Sequence, residues 1–281
     1  MRNTRIPSIK ILVSSILWAI TVSKCLCGCL IDQADSLYAM RHIGFDPVRL
    51  VASSANADRA IDLYQQAIRV SSGAEEEDAI WKLMRAHYFK GMYTTSDRDK
   101  KRGFFNQGKE VGEEGLREYP KSKLIHTGMA ILWGVWAQES SAVQVVSSGA
   151  VEKIRCHCER AMELDQGECR AIAVRIYGRL HYEAPRIPFV LGWVSREESL
   201  RLLEQAYQLA PEDLFSKQYL AEALYARGER DRALALMEEI LRTDHLVIGI
   251  VEDAFNKHMA QEIVEKWRLY AERNQGEYDA Q

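Results

Sequence analysis

An all-α array of helical hairpins is the fold class that the sequence predicts, on three observations. Small and apolar residues recur at helical spacing in copies of one unit, and the copies close at nearly regular intervals. The composition supports a large core: 281 residues are 47% apolar, with 6 prolines and 17 glycines. Such a chain is globular, with length for one large domain or two small ones.

Residues 1–28 have the three parts of a secretory signal: Arg2, Arg5 and Lys10, then an apolar run from Ile11 to Val22, then a short segment ending at Gly28. The run is too short to span a bilayer, which takes about 20 residues. Cys29 follows Leu26-Cys27-Gly28, an arrangement that resembles the bacterial lipobox, although Lys24 puts a charge where that approach is neutral. The expectation is export, cleavage before Cys29 and acylation of Cys29, anchoring a bacterial protein to a membrane. Removing the four cations before Cys29 would leave 33 basic against 40 acidic side chains, and a mildly acidic surface argues against nucleic acid as a partner.

Residues 29–56 lack a clear period and are expected to form a lipidated lead-in with room for one short helix. Residues 57–281 are the expected repeat domain, of four to five hairpins. The unit is clearest at 213–244. There Leu220, Ala221, Leu224 and Gly228 mark a first helix and its turn, and Ala233, Met237 and Ile240 mark a second. These residues fall where tetratricopeptide repeats place their small and large consensus residues. The small ones let antiparallel helices approach, the large ones fill the groove, and glycine ends the first helix. Earlier second helices close near Ser72 (Ala60, Tyr64, Ala67), at Pro120 (Gly108, Gly112, Gly115), at Gln166 (Ile154, Cys158, Ala161) and at Pro211 (Leu203, Ala206).

Against a unit of about 34 residues, the intervals up to Pro211 carry extra length and the last carries none. The extras are expected between the helices of each hairpin, at 91–104, 138–150 and 182–196, as three lengthened connections standing side by side on one face. Beyond His245, Ile250, Val251, Phe255, Met259, Ile263, Val264 and Trp267 follow a helical period and predict a C-terminal capping helix.

Several constellations invite chemistry. Cys156-His157-Cys158 and Cys169 include zinc ligand types, but residues two apart point about 200° away from each other on a helix. Buried packing of Cys158 is the leading reading, with a disulfide to Cys169 left open. The glutamate runs open helices, where the dipole favours them, and there is neither a phosphate loop nor a nucleophile elbow. No enzyme activity, cofactor or metal is expected. The run Arg98, Lys100, Lys101, Arg102 reads either as a solvated connection or as a site for an acidic partner or anionic lipid. The segment from Glu183 to Trp193 has two prolines yet is too apolar to stay exposed. It either folds back onto the hairpins as local core or lines an apolar cavity or partner interface. Trp133, Trp136, Tyr177, Tyr182, Arg186, Phe189 and Trp193 are the candidate ligand or partner residues, beside plain core packing of the aromatics.

The lipobox-like start, the degenerate hairpins with lengthened connections and the Pro185-x-x-Pro188 apolar loop together resemble the T component of tripartite ATP-independent periplasmic (TRAP) transporters. That resemblance implies a periplasmic lipoprotein that forms homotrimers, carries a hydrophobic cleft in each protomer and binds the transporter's substrate-binding subunit, with a hydrophobic or carboxylate ligand. The competing expectation is a tetratricopeptide scaffold for envelope protein assembly. An envelope hydrolase is a third, with no constellation to support it.

Overall fold

The computed structural model describes residues 27–184 and 192–279, with side chains through Glu272. Among them every regular element is a helix. We number them α1 (27–39), α2 (Ala55–Val70), α3 (Ala74–Tyr93), α4 (Arg98–Glu118), α5 (Lys123–Gln138), α6 (Ala142–Ser147), α7 (Ala150–Leu164), α8 (Glu168–Glu183), α9 (Arg196–Leu209), α10 (Leu214–Ala226), α11 (Arg230–Arg242) and α12 (Ile250–Asp279). Pairs α1/α2, α3/α4, α5/α7, α8/α9 and α10/α11 form five antiparallel hairpins. The first helices stack on one another along one wall: α3 on α5, α5 on α8, α8 on α10 and α10 on α12. This is the tetratricopeptide-like, all-α architecture that the repeat pattern predicts.

Local chemistry sets the helix boundaries. Asp97, Ser122, Ser195 and Asp213 each accept a hydrogen bond from a backbone N–H in the first turn of the helix that follows, and Ser141 forms a capping box with Gln144. After α10 the chain turns at Gly228, whose φ of 88° suits a residue without a Cβ. The stripe Gly108, Gly112, Gly115 on α4 packs against α3 and α5. A Cβ on Gly112 would lie 2.4 Å from Met129 Sδ, so these backbones approach more closely than any side chain permits.

Two expectations about connections change. No long loop joins α3 to α4, because only residues 94–97 separate them. The extra length is helix: α3 and α4 have 20 and 21 residues, against 13 each in α10 and α11. Helix α3 runs to Tyr93 and ends at Thr94, and Asp97 starts α4 as its N-cap. The second connection carries the short helix α6, and the third includes residues 185–191, outside the described part. Three loops standing side by side are therefore not what the structure contains.

The lead-in also differs from expectation. Helix α1 belongs to the first hairpin: Ala34 and Tyr38 pack with Ala57, Ala60 and Tyr64 of α2 and with Leu83 and Phe89 of α3. Cys27, upstream of the expected cleavage point, is fully buried among Ile31, Ala67 and Ala79, whereas Cys29 is exposed on the same helix. The rest of the expected signal segment lies outside the described residues.

Helix α12 caps the array as its periodicity predicts. Val264 is buried, and Trp267 stacks on Tyr225 with ring centroids 4.0 Å apart and planes 3° apart. Its N-terminal end does something the periodicity does not announce. Val251 is fully buried in the cluster of the first hairpin, Phe255 meets Tyr93 edge-on at 5.4 Å, and Arg41 Nε donates to Glu252 Oε1 at 2.7 Å. The last helix thus returns to the first hairpin and closes the superhelix on itself.

Candidate functional site

Closure turns the wall of first helices into a chamber. Helix α3 presents Trp81, Arg85 and Tyr88 at spacings of four and three, which places them on one face. Helix α5 contributes Leu124, Gly128 and Ile131, and α8 contributes Ile172 and Arg175. Tyr38, Arg41, Val247, Ile248 and Glu252 complete the wall from the two chain ends. The cavity so bounded has a volume of about 820 Å³. A second, of about 350 Å³, lies between α5, α6, α8 and α10 and is mostly apolar. The two share Tyr88, Ile131, Arg175 and Phe215, so they adjoin as one continuous lining.

Arginines laid on aromatic rings run along this lining. Arg41 lies 4.6 Å above the Tyr38 ring, Arg175 5.1 Å above Phe215 and Arg179 4.5 Å above Tyr219. Three carry carboxylate partners: Arg41 pairs with Glu252, Arg175 with Asp213, and Arg179 with Glu222 and Glu183. Burial works to raise the Asp213 carboxyl, but the Arg175 charge and hydrogen bonds from Ser216 outweigh it and hold it below the usual carboxylate range. Burial pushes the Tyr88 and Tyr219 phenols up, so both stay neutral donors. The Nε–H groups of Arg175 and Arg179 are buried and have no hydrogen-bond partner.

The described candidate residues from the sequence do not gather in this chamber. Trp133 and Trp136, 5% and 9% exposed, form an edge-on pair 5.4 Å apart, and neither lines either of these cavities. They receive Lys109, whose Nζ stands 3.5 Å and 4.2 Å from their ring centroids, while Lys153 Nζ stands 4.1 Å from that of Trp133. Burial and the Lys153 charge push the Lys109 amine down to about 8. Trp193 packs with Tyr177 and His181, and the backbone N–H of Ser195 donates to His181 Nδ1 at 3.1 Å. Tyr182 sits apart from them under Arg179 and Arg196, packed against the core of the last hairpins. Arg186 and Phe189 lie outside the described residues.

Other constellations have structural placements. Cys158 is fully buried beside Ile154 and Ala161, Cys156 is exposed, and neither they nor Cys169 form a disulfide. Burial raises the Cys158 thiol, which leaves it an inert packing group. Among the described residues no three His, Cys, Asp or Glu side chains are placed to hold a metal ion. In the basic run, Arg98 and Lys101 both pair with Glu139, at 3.2 Å and 2.8 Å, and Arg102 donates to the Glu139 carbonyl. That run ties the start of α4 to the end of α5.

With the geometry set out, comparison with known proteins bears on identity. A family model described as Regulator of microtubule dynamics protein 1-3 matches residues 48–267. The chain belongs to that family. Regulator of microtubule dynamics protein 3 of Xenopus laevis is 28% identical over 131 residues, covering 46% of this chain and 26% of the relative. The Rattus norvegicus protein of the same name is 25% identical over 148 residues, covering 53% and 30%. The matched part thus spans between a quarter and a third of these relatives. A thermophilic TPR protein of Thermus thermophilus superposes with a TM-score of 0.56 at 16% identity, covering 84% of this chain and 98% of that one, which supports the fold alone.

Membership in the regulator of microtubule dynamics family overturns the expected TRAP T component. With it go the bacterial periplasmic location, the acyl anchor at Cys29, the homotrimer, and the substrate-binding subunit with its hydrophobic or carboxylate ligand. The physical reasons lie in the same features that suggested the resemblance. Cys27, on the discarded side of the expected cleavage, is core, and the extra length between Ser72 and Pro120 is helix. The expected envelope scaffold loses its location as well and keeps only the idea of repeats that bind.

Proposed function

We propose that this chain is a non-catalytic binding module through which its family acts on microtubule dynamics, and that the chamber is where it receives a segment of a partner protein. The observation that carries the reading is the chamber itself: a cavity of about 820 Å³ walled by both ends of the hairpin stack and lined by arginines on aromatic rings. Stacks of short helical hairpins use this inner wall as a recognition surface, and aromatic and arginine side chains dominate binding energy where they are found. The names of the vertebrate relatives supply the biological setting. The test is microtubule assembly from purified tubulin with the full chain added, followed by turbidity and by imaging of single filaments, with co-sedimentation in parallel. Altered growth or shortening rates and co-pelleting are expected. Unchanged dynamics at saturating protein, with no co-pelleting, would overturn the reading.

A further inference from the structure

Among the chamber's arginines Arg85 is the exception. Arg41, Arg175 and Arg179 are each neutralised by a carboxylate of this chain. Arg85 lines the larger cavity, is half-buried, and has no carboxylate within ion-pair distance among the described residues. Its guanidinium is instead flanked by two rings, Tyr38 at 5.1 Å and Trp81 at 5.9 Å. Rings of this kind hold a guanidinium in place without consuming its charge, and its planar fork of N–H donors matches a carboxylate. The carboxylates that share the wall are committed elsewhere: Glu252 to Arg41 and Asp213 to Arg175. Glu168 is exposed at the start of α8, where the helix dipole already favours it. A half-buried cation with no counter-charge of its own calls for an anion from outside.

We propose that Arg85 is the recognition cation of the chamber and that the partner segment it receives is an acidic peptide. The proposal rests on the binding-module reading above and names the chemistry of its ligand. A peptide suits the space better than a free anion, because the lining runs on from Arg85 past Tyr88, Ile131 and Phe215 into the second cavity. Carboxylates are placed at one end and apolar side chains along the rest. Bidentate pairing of Arg85 with a glutamate or aspartate supplies the specificity.

The experiment is fluorescence polarisation of the full chain with a fluorescein-labelled peptide of alternating Glu and Leu, beside its Gln-for-Glu counterpart, at low and high salt. The expected result is salt-sensitive binding of the Glu peptide, with the Gln peptide weaker by about tenfold or more. Arg85→Gln should lose a similar factor and Arg85→Lys less, whereas Arg49→Gln, at an exposed loop arginine, should bind as the unsubstituted chain does. Circular dichroism verifies that each variant is folded, and Arg85→Lys carries the test should Arg85→Gln unfold. Equal binding of the two peptides, or wild-type affinity in a folded Arg85→Gln or Arg85→Lys chain, overturns the proposal. So does capture by phosphatidylserine vesicles with no peptide binding. Tubulin assays read the broader proposal separately, so acidic-peptide binding with unchanged microtubules would sink that reading and leave this one standing.

Discussion

Replacing Arg41 with Met removes one partner of the contact that joins the two ends of the hairpin stack. The Glu252 side chain is only 6% exposed and Arg41 only 13%, so the single substitution strands a desolvated carboxylate. Breaking such a pair from one side costs about 3–5 kcal/mol, and the lost contact of Arg41 with the Tyr38 ring is part of that figure. Glu252→Met strands the guanidinium and should cost about as much. The double variant Arg41→Met/Glu252→Met replaces the pair by apolar side chains and should lie within about 1–2 kcal/mol of the original. Urea unfolding followed by circular dichroism gives the three stabilities and hence the coupling, expected to be about 4 kcal/mol or more. Small-angle scattering should show the single variants expanded as α12 swings from the first hairpin. If each single change costs less than about 1 kcal/mol, as exposed pairs do, and the two effects simply add, then the contact does not close the molecule.

Three further outcomes follow from packing and charge. Gly91→Ala would place a Cβ 2.2 Å from the ring of Phe105, itself fully buried, and should lower stability by about 1–3 kcal/mol, read as a reduced melting temperature. His157 lies 3.0 Å from His126, Nδ1 to Nδ1, and burial followed by the neighbouring charges of His126 and Lys153 pushes it down to about 4. Its unfolded form takes up a proton near pH 6.5 and the folded form only near 4, so stability falls as pH drops through that window. Urea midpoints between pH 7 and 4 should fall less steeply in His157→Gln. Lys109 acts in the same sense in a higher window, because its folded amine is lowered to about 8 while the unfolded one stays near the ordinary lysine value, so stability rises with pH between about 8 and 10. The rise should shrink in Lys109→Met, and an unaltered slope in that variant would contradict the unpaired placement of the amine on Trp133.

The repeat pattern was legible wherever packing obeys a short period. Leu220, Ala221, Leu224, Ala233, Met237 and Ile240, picked out by spacing, are all buried at the α10/α11 interface, and the glycines of α4 do lie between its neighbours. Interval counting failed between α3 and α4, because a longer helix and a longer loop add residues to a repeat alike. The short segment before Cys29 read as the end of a signal, although its small and apolar residues also suit a helix that buries Cys27. Aromatic content drew attention to Trp133 and Trp193, which fill hairpin interiors. The chamber wall carried a fainter signal, Arg175-x-x-x-Arg179 and Trp81-x-x-x-Arg85-x-x-Tyr88 on successive first helices. What gives those residues a shared space is the meeting of Arg41 with Glu252, a contact between positions 211 apart that no local period encodes.

That meeting also bears on how such a protein can change over generations. In an open stack each hairpin touches only its neighbours, so a unit can be gained or lost with little effect on the rest. Here an added or deleted hairpin would carry α12 past the place where Tyr38, Phe89 and Tyr93 receive it. The unit count is therefore held by geometry, much as the number of staves is held in a barrel. Changes in the lengths of individual helices and in the joints between them leave the closure intact, and that is where α3, α4 and α6 depart from the plain repeat.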